Sequence, residues 1–348
     1  MHSMRIVGML ALAACNPELS TSVVVGEDTV TCPGNLCGNS NETAHNGLYK
    51  ASLYGAPDPD VDGGDLRIQT LNGRAQVYKG GVAYDLHVEK ARLSGQNAYQ
   101  HIEGIQLIGA EIVLERDGRY AYTIDIADVQ EREFPLHKGE FYAYTLTWRG
   151  AKQEPTPDQP LCQARVLDIH SKEHYVELLG LEAGETVIYE GEHFNAPELQ
   201  LRDGYHPDWI TFGCAGHSLA KMFLLRETTA SNPERSWAGS QATLKMLTGN
   251  YCGDRNTFTL PGQPLVWKGG ALEEYLVGPT TLEARWNKGG ATCLGTPRVT
   301  YHPSPEAEAE WGADITAVIT QTCPLQPCSN TDVQDFDGEL RVSANWDP

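Results

Sequence analysis

Five residues, "HSKEH" from His170 to His174, have the types and spacing for metal chemistry. On a helix, H-x-x-E-H presents both histidines to one zinc ion while the glutamate, here Glu173, serves as the base of a hydrolase. The flanks "ARVLDI" and "YVELLGL" are β-branched and alternating. They predict a polar turn between strands, so the helix this chemistry needs is missing. A metal-dependent hydrolase using His170, Glu173 and His174 is therefore the alternative to a non-catalytic chain. A second metal pattern lies in "DPDVDGGD": Asp58, Asp60 and Asp62 at alternate positions, then Gly63, match the first half of a calcium loop. Its twelfth position is Gln69, where a bidentate glutamate belongs, and no helix follows. The segment reads as an acidic turn with a weak claim on calcium, the one cofactor the sequence suggests. There is no G-x-S-x-G nucleophile elbow, no phosphate-cradling P-loop and no dinucleotide fingerprint. His217 beside Cys214 reads as a helix-start residue, His193 and His206 as turn residues, and Trp237, Trp267, Trp286 and Trp311 as packing.

Nine cysteines remain to be assigned: Cys15, Cys32, Cys37, Cys162, Cys214, Cys252, Cys293, Cys323 and Cys328. The first closes "LAAC", after one charge at Arg5 and a short apolar run, Ile6 to Ala14. This is the layout of a bacterial export signal cut before a cysteine that then carries lipid. Residues 1–14 read as the signal, Cys15 as the lipidation site and residues 15–46 as a solvated tether. The expected location is the cell envelope, lipid-anchored, at the outer membrane or cell surface. Eight cysteines are left, an even number in an oxidising compartment, which favours up to four disulfides. The pairs Cys32/Cys37 and Cys323/Cys328, each with four intervening residues, look like short zinc-ligand pairs, but they lie at opposite ends of the chain and exported cysteines oxidise, which disfavours zinc. The formal charge of −20 over 348 residues argues against nucleic acid as a partner, and no Lys/Arg cluster offers a local exception. A ligand or protein partner is not named by the sequence.

The elements that must carry these residues are mainly strands. From residue 47 to 150, period-two runs rich in Val, Ile, Tyr and Thr are punctuated by Asn-Gly, Gly-Gly and Asp-Gly, predicting antiparallel hairpins and a β-rich domain. The prolines of "AKQEPTPDQPLC" suggest a boundary, with a second domain over 151–348. There the helical patterns are "GHSLAKMFLLRE", Gly216 to Glu227, and "SWAGSQATLKMLTGN", with Ser236 as N-cap and Gly249 as stop. The polar link between them predicts an antiparallel pair. Cys214 just before the first helix and Cys252 just after the second would then be neighbours, suggesting a disulfide between them. The other reading of Cys252 is a reactive thiol, which its place beyond a helix C-terminus disfavours. The fold class expected is α+β, mainly β.

"GNYCGDRNTFTLPGQPL", from Gly249, resembles the signature of the ADYC domain, a bacterial module found mainly in myxobacterial exported and lipid-anchored proteins. The Ala-Asp-Tyr-Cys run corresponds to Gly249-Asn250-Tyr251-Cys252, with Gly253, Asp254, Thr259 and Gly262 in the following positions. "PLC" at Pro160, "ITFGC" at Ile210 and "EARWNKGGATCL" at Glu283 agree with the family in the same order, extending the resemblance from about residue 160 to the C-terminus. Two departures occur together. The first helix has Ala220-Lys221-Met222 where Gly-Lys-Cys is usual, and Thr243 stands where a cysteine is usual, as if one disulfide were missing. The resemblance implies an exported domain and transfers no catalytic residue.

Overall fold

The computed structural model describes residues 50–56, 67–116, 118–134, 138–150, 158–162, 181–182, 184–195, 199–254, 256–259, 266–268, 280–301, 314–329 and 341–346. Cys15, Cys32, Cys37, the Asp58/Asp60/Asp62 turn and the His170/Glu173/His174 cluster lie outside them.

Short turns set the first half of the molecule. Asn72-Gly73 and Gly80-Gly81 all have positive φ, the geometry that lets a two-residue turn follow the twist of its strands. They join β3 (Thr70–Leu71) to β4 (Arg74–Lys79) and β4 to β5 (Val82–Glu89). With β1 (Lys50–Ser52), β2 (Arg67–Ile68), β6 (Arg92–Gln96), β7 (His101–Glu103), β8 (Ala110–Arg116), β9 (Arg119–Glu133), β10 (Glu140–Gly150), β11 (Gln159–Pro160), β12 (Glu185–Gly191) and, further on, β15 (His206–Cys214), they form one antiparallel sheet. Its path is β1-β15-β12-β10-β9-β8-β4-β5-β6-β7, with β2, β3 and β11 pairing at its margins.

The sheet curls until its ends meet its middle. The Ala75 N–H donates to the Leu53 carbonyl at 2.6 Å, joining the end of β1 to β4. Across the curl, the Leu93 N–H donates to the Tyr144 phenol oxygen at 2.7 Å. Lys90 and Ala91 turn between β5 and β6 with φ of 52° and 57°, a conformation non-glycine residues seldom adopt. The Glu190 carboxylate of β12 holds that turn by accepting from both N–H groups, at 2.9 and 3.4 Å. Inside lies the first core, with Val77, Leu86, Ile112, Ile124, Leu146, Ile188 and Phe212 among its members.

The boundary expected near residue 150 does not divide this sheet. Strand β10 ends at Gly150, yet its neighbours β11 and β12 come from beyond it, and β15 joins β12 to β1. Of the prolines that suggested a linker, Pro160 sits in two-residue β11, at the margin of the sheet, where a missing donor is tolerated.

Alternation gives β10 and β12 a second buried face. Phe141, Ala143, Val187 and Tyr189 point away from the first core and pack on Ala220, Phe223 and Leu224 of helix α1 (Ser218–Leu224). The rings of Tyr189 and Phe223 stack at 4.9 Å. The other side of α1 contributes Leu219 and Met222 to a third cluster, shared with helix α2 (Trp237–Thr248). Completing it are β17 (Thr280–Asn287), β18 (Gly290–Leu294) and the helices α3 (Arg298–Tyr301) and α4 (Ile315–Thr322), while β13 (Phe194–Asn195) and β14 (Gln200–Leu201) form a small hairpin at its edge. The second sheet runs β16 (Val266–Lys268)-β20 (Arg341–Trp346)-β17-β18-β19 (Gln326–Pro327). Covered on every side, both helices are buried beyond their apolar stripes. Ser236 caps α2 by accepting from the Gly239 N–H, and Gly249 ends it at φ 62°, as the sequence indicates.

Among the described residues, three disulfides join distant segments: Cys162–Cys214, Cys252–Cys323 and Cys293–Cys328. The expected Cys214–Cys252 pairing is not formed. Period two along β15 turns Ile210, Phe212 and Cys214 into the first core, beside Leu161 and Cys162. Cys252 instead packs against the helix-and-sheet cluster with Cys323. Helix ends that looked adjacent in the sequence pattern thus feed two different cores.

The two histidines read as turn residues have a more specific setting. His193 is buried, with its ring 4.3 Å from Trp209 and 5.7 Å from His206. Lys50, also buried, donates to the Phe194 carbonyl at 2.6 Å. Next to them Glu192 accepts from both the N–H and the hydroxyl of Thr229 at 2.8 Å. Burial raises its carboxyl above the ordinary carboxylate range, against those two hydrogen bonds. A raised folded-state value means that the unfolded chain ionises first, so stability falls as pH rises through that window. Glu192→Gln keeps the accepting oxygen and loses the charge. Denaturant unfolding should therefore show the variant matching the parent near about pH 4 and exceeding it near about pH 7. A variant equally weakened at both values would contradict this.

Candidate functional site

Two regions concentrate polar groups: the signature segment and the outer face of the curled sheet.

The signature begins at the end of α2. With Gly249 left-handed, the Asn250 N–H donates to the Lys245 carbonyl at 2.9 Å and the Gly249 N–H to Met246 at 3.1 Å, a Schellman ending. A Cβ on Gly249 would lie 2.5 Å from the Phe258 carbonyl oxygen. The chain then turns so that Asn250 Nδ2 donates to the Asp254 carbonyl at 2.5 Å, a bond the aspartate of the usual signature could not donate. Tyr251 enters the cluster, tilted 4.9 Å from Trp286, and its hydroxyl donates to Glu283 Oε1 at 2.5 Å.

Glu283 on β17 and Arg298 on α3 are both fully buried. Arg298 Nε and Nη2 donate to the two Glu283 oxygens at 2.6 and 3.0 Å, a bidentate pair. Nη2 also donates to the Met246 carbonyl at 2.7 Å, placing a cation at the C-terminal end of α2, where the helix dipole favours one. Burial, then the Glu283 charge, pushes the Tyr251 phenol well above its usual value, so it stays a donor. Cys252 closes onto Cys323 at the end of α4. Gly253, at φ 71°, lies against the β17–β18 turn, where a Cβ would stand 1.8 Å from the Gly289 oxygen. Gly249 to Gly253 thus tie the end of α2 to β17, α4 and the β17–β18 turn.

A parallel network sits where the family's second cysteine pair is missing. Thr243 donates to Glu227 at 2.9 Å and accepts from Arg341 Nε at 2.9 Å. Arg341 also meets Glu227 at 2.8 Å, and Arg235 meets its other oxygen at 3.1 Å. A charged tie between α2, the end of α1 and β20 thus occupies this position. Nearby Lys221 is fully buried; burial, then Arg298, drives its ammonium well below the usual lysine range. Nothing in the sequence pattern marks these pairs, because Glu283–Arg298 and Glu227–Arg341 join residues by tertiary packing.

The second region is open to solvent. Ile112 and Leu114 of β8 face inward, so Glu111, Val113 and Glu115 face out. Register places Tyr78 of β4 opposite Glu111, and Glu111 opposite Asp125 of β9, a polar row across three strands. Arg149 of β10 binds Glu111 at 2.6 Å and Asp125 at 3.2 Å. Tyr78 donates to Gln69 Oε1 at 2.7 Å, and Gln69 Nε2 donates to Glu115 at 2.8 Å, which fixes the amide's orientation. Gln69, Tyr78, Glu111 and Val113 border a cleft of about 480 Å³ whose other wall is the Gly80-Gly81 turn and Gly109. The positive φ at these glycines serves the turns, and the missing side chains leave the space beside Tyr78 clear. Gln69, the twelfth position of the aspartate pattern, is engaged in this row. Among the described residues no group of three or more His, Cys, Asp or Glu side chains is placed to hold a metal ion.

No curated protein and no solved structure matches this chain. The family model of the ADYC domain matches residues 104–300, more than half of the 348. The match starts in the curled sheet, earlier than the motifs from Pro160 onward suggest, and ends before Cys323 and Cys328. It takes in β8 to β10, both main helices, the signature segment and the Glu283–Arg298 pair, and on that extent the chain belongs to the ADYC domain family.

Proposed function

We propose that this chain is a non-catalytic binding module of the bacterial envelope, tethered by lipid at Cys15 and presenting its curled sheet outward. The supporting observation is the set of three long-range disulfides among the described residues, one in the curled sheet and two in the helix-and-sheet unit, a chemistry suited to an oxidising compartment. The signature residues of the family are occupied with holding α2, α4 and the β17–β18 hairpin together, which leaves the outer face as the surface for recognition. The test is metabolic labelling with a palmitate analogue in a Gram-negative host. The parent chain should incorporate label into a membrane-bound species, and Cys15→Ser should lose the label and leave the membrane fraction. Label that persists in Cys15→Ser, or a parent chain that remains unlabelled in the cytoplasm, would overturn the anchoring.

A further inference from the structure

We infer that the cleft on the outer face of the sheet binds a neutral oligosaccharide; this rests on the reading of the chain as a binding module. Its volume of about 480 Å³ falls within the roughly 300–1,000 Å³ typical of small-ligand sites. Its lining is polar and pre-positioned, with Gln69 already fixed between Tyr78 and Glu115. Three kinds of group converge there. The Tyr78 ring and Val113 offer an apolar strip. Gln69 Nε2 retains a second proton after its bond to Glu115, and so supplies a donor. Glu111 is engaged by Arg149 through Oε1, so its second oxygen is left as an acceptor among the described residues. Alternating donors and acceptors beside an apolar strip match vicinal hydroxyls on a ring.

Charge narrows the class. An anionic ligand would meet Glu111, Glu115 and Asp125, on a chain whose formal charge is −20. A cationic ligand would compete with Arg149, which already bridges Glu111 and Asp125. The glycine wall adds no bulk and no charge. A neutral polyol meets neither penalty.

The test is saturation-transfer NMR on the full exported chain in mild detergent, with neutral disaccharides of hexose and N-acetylhexosamine units as probes and putrescine as a cationic competitor. At least one disaccharide should receive saturation. Glu111→Gln should weaken its binding at least five-fold by turning an acceptor into a mixed group. Val113→Trp, an aromatic change tolerated on a strand surface, should fill the cleft and abolish the signal. Matching circular dichroism of both variants would show that the fold is kept. No transfer to any disaccharide, transfer undiminished in both variants, or displacement by putrescine would overturn the assignment. Palmitate labelling is read on the same preparation. A lipidated chain that binds no disaccharide overturns the cleft alone, and an unlipidated chain that binds one overturns the anchor alone.

Discussion

Arg298→Met should destabilise the folded chain by about 3–5 kcal/mol, the usual cost of removing one partner from a buried ion pair. Glu283 would keep its charge with only the Tyr251 hydroxyl and the backbone N–H of residue 298 to answer it, inside a cluster where both residues are fully buried. The Met246 and Leu247 carbonyls at the end of α2 would lose their cation as well. Expected in calorimetry is a fall in Tm on the order of 10 °C. Adding Glu283→Leu should recover more than half of the loss, because the uncompensated charge, and not the missing attraction, dominates the cost. A single variant within about 1 kcal/mol of the parent would mean that the pair is solvated and that the signature tyrosine is not held as described.

Breaking Cys252–Cys323 should have a comparable effect. The bond spans 71 residues of sequence, and the chain-entropy model assigns a loop of that length about 4 kcal/mol, within a measured range of roughly 0–5. The double change Cys252→Ser with Cys323→Ser removes the closure without leaving a lone thiol. Because α4 is short and joins the rest of the third cluster largely through Ile315, Ile319 and this bond, its amides should lose hydrogen-exchange protection first. The curled sheet, which carries its own core and its own Cys162–Cys214 bond, should keep its protection. Equal loss in both regions would show one cooperative unit and contradict the division into separately stapled cores.

The contrast between those two regions also shows what the sequence makes legible. Local rules carry far: Asn72-Gly73 and Gly80-Gly81 specify their turns, and Ser236 and Gly249 bound α2, because each effect acts within a few residues. Lys90-Ala91 escapes the same rule, since neither residue favours φ > 0; the Glu190 carboxylate, a hundred residues away, holds the turn. The prolines of residues 151–162 read as a domain boundary because proline is disfavoured inside a sheet, yet the strands on either side, β10 and β11, pair in the same sheet. Cysteine pairing was ambiguous among roughly a hundred arrangements; strand alternation and core membership decide it, and both are tertiary facts. The polar row Tyr78–Glu111–Asp125 was hidden for the same reason, since its members meet only through register. Within the signature, the tyrosine and cysteine were visible as types, but their partners Glu283 and Cys323 lie 32 and 71 residues on.

The central claim is that the signature cysteine is a structural lock. It is tested most directly by a non-reducing peptide map of the full chain purified under oxidising conditions, alkylated before digestion so that free thiols are marked. The account expects Cys252 joined to Cys323, with Cys162 joined to Cys214 and Cys293 to Cys328. An alkylated Cys252, or a peptide joining it to Cys214, would contradict it and return that residue to the reactive-thiol reading.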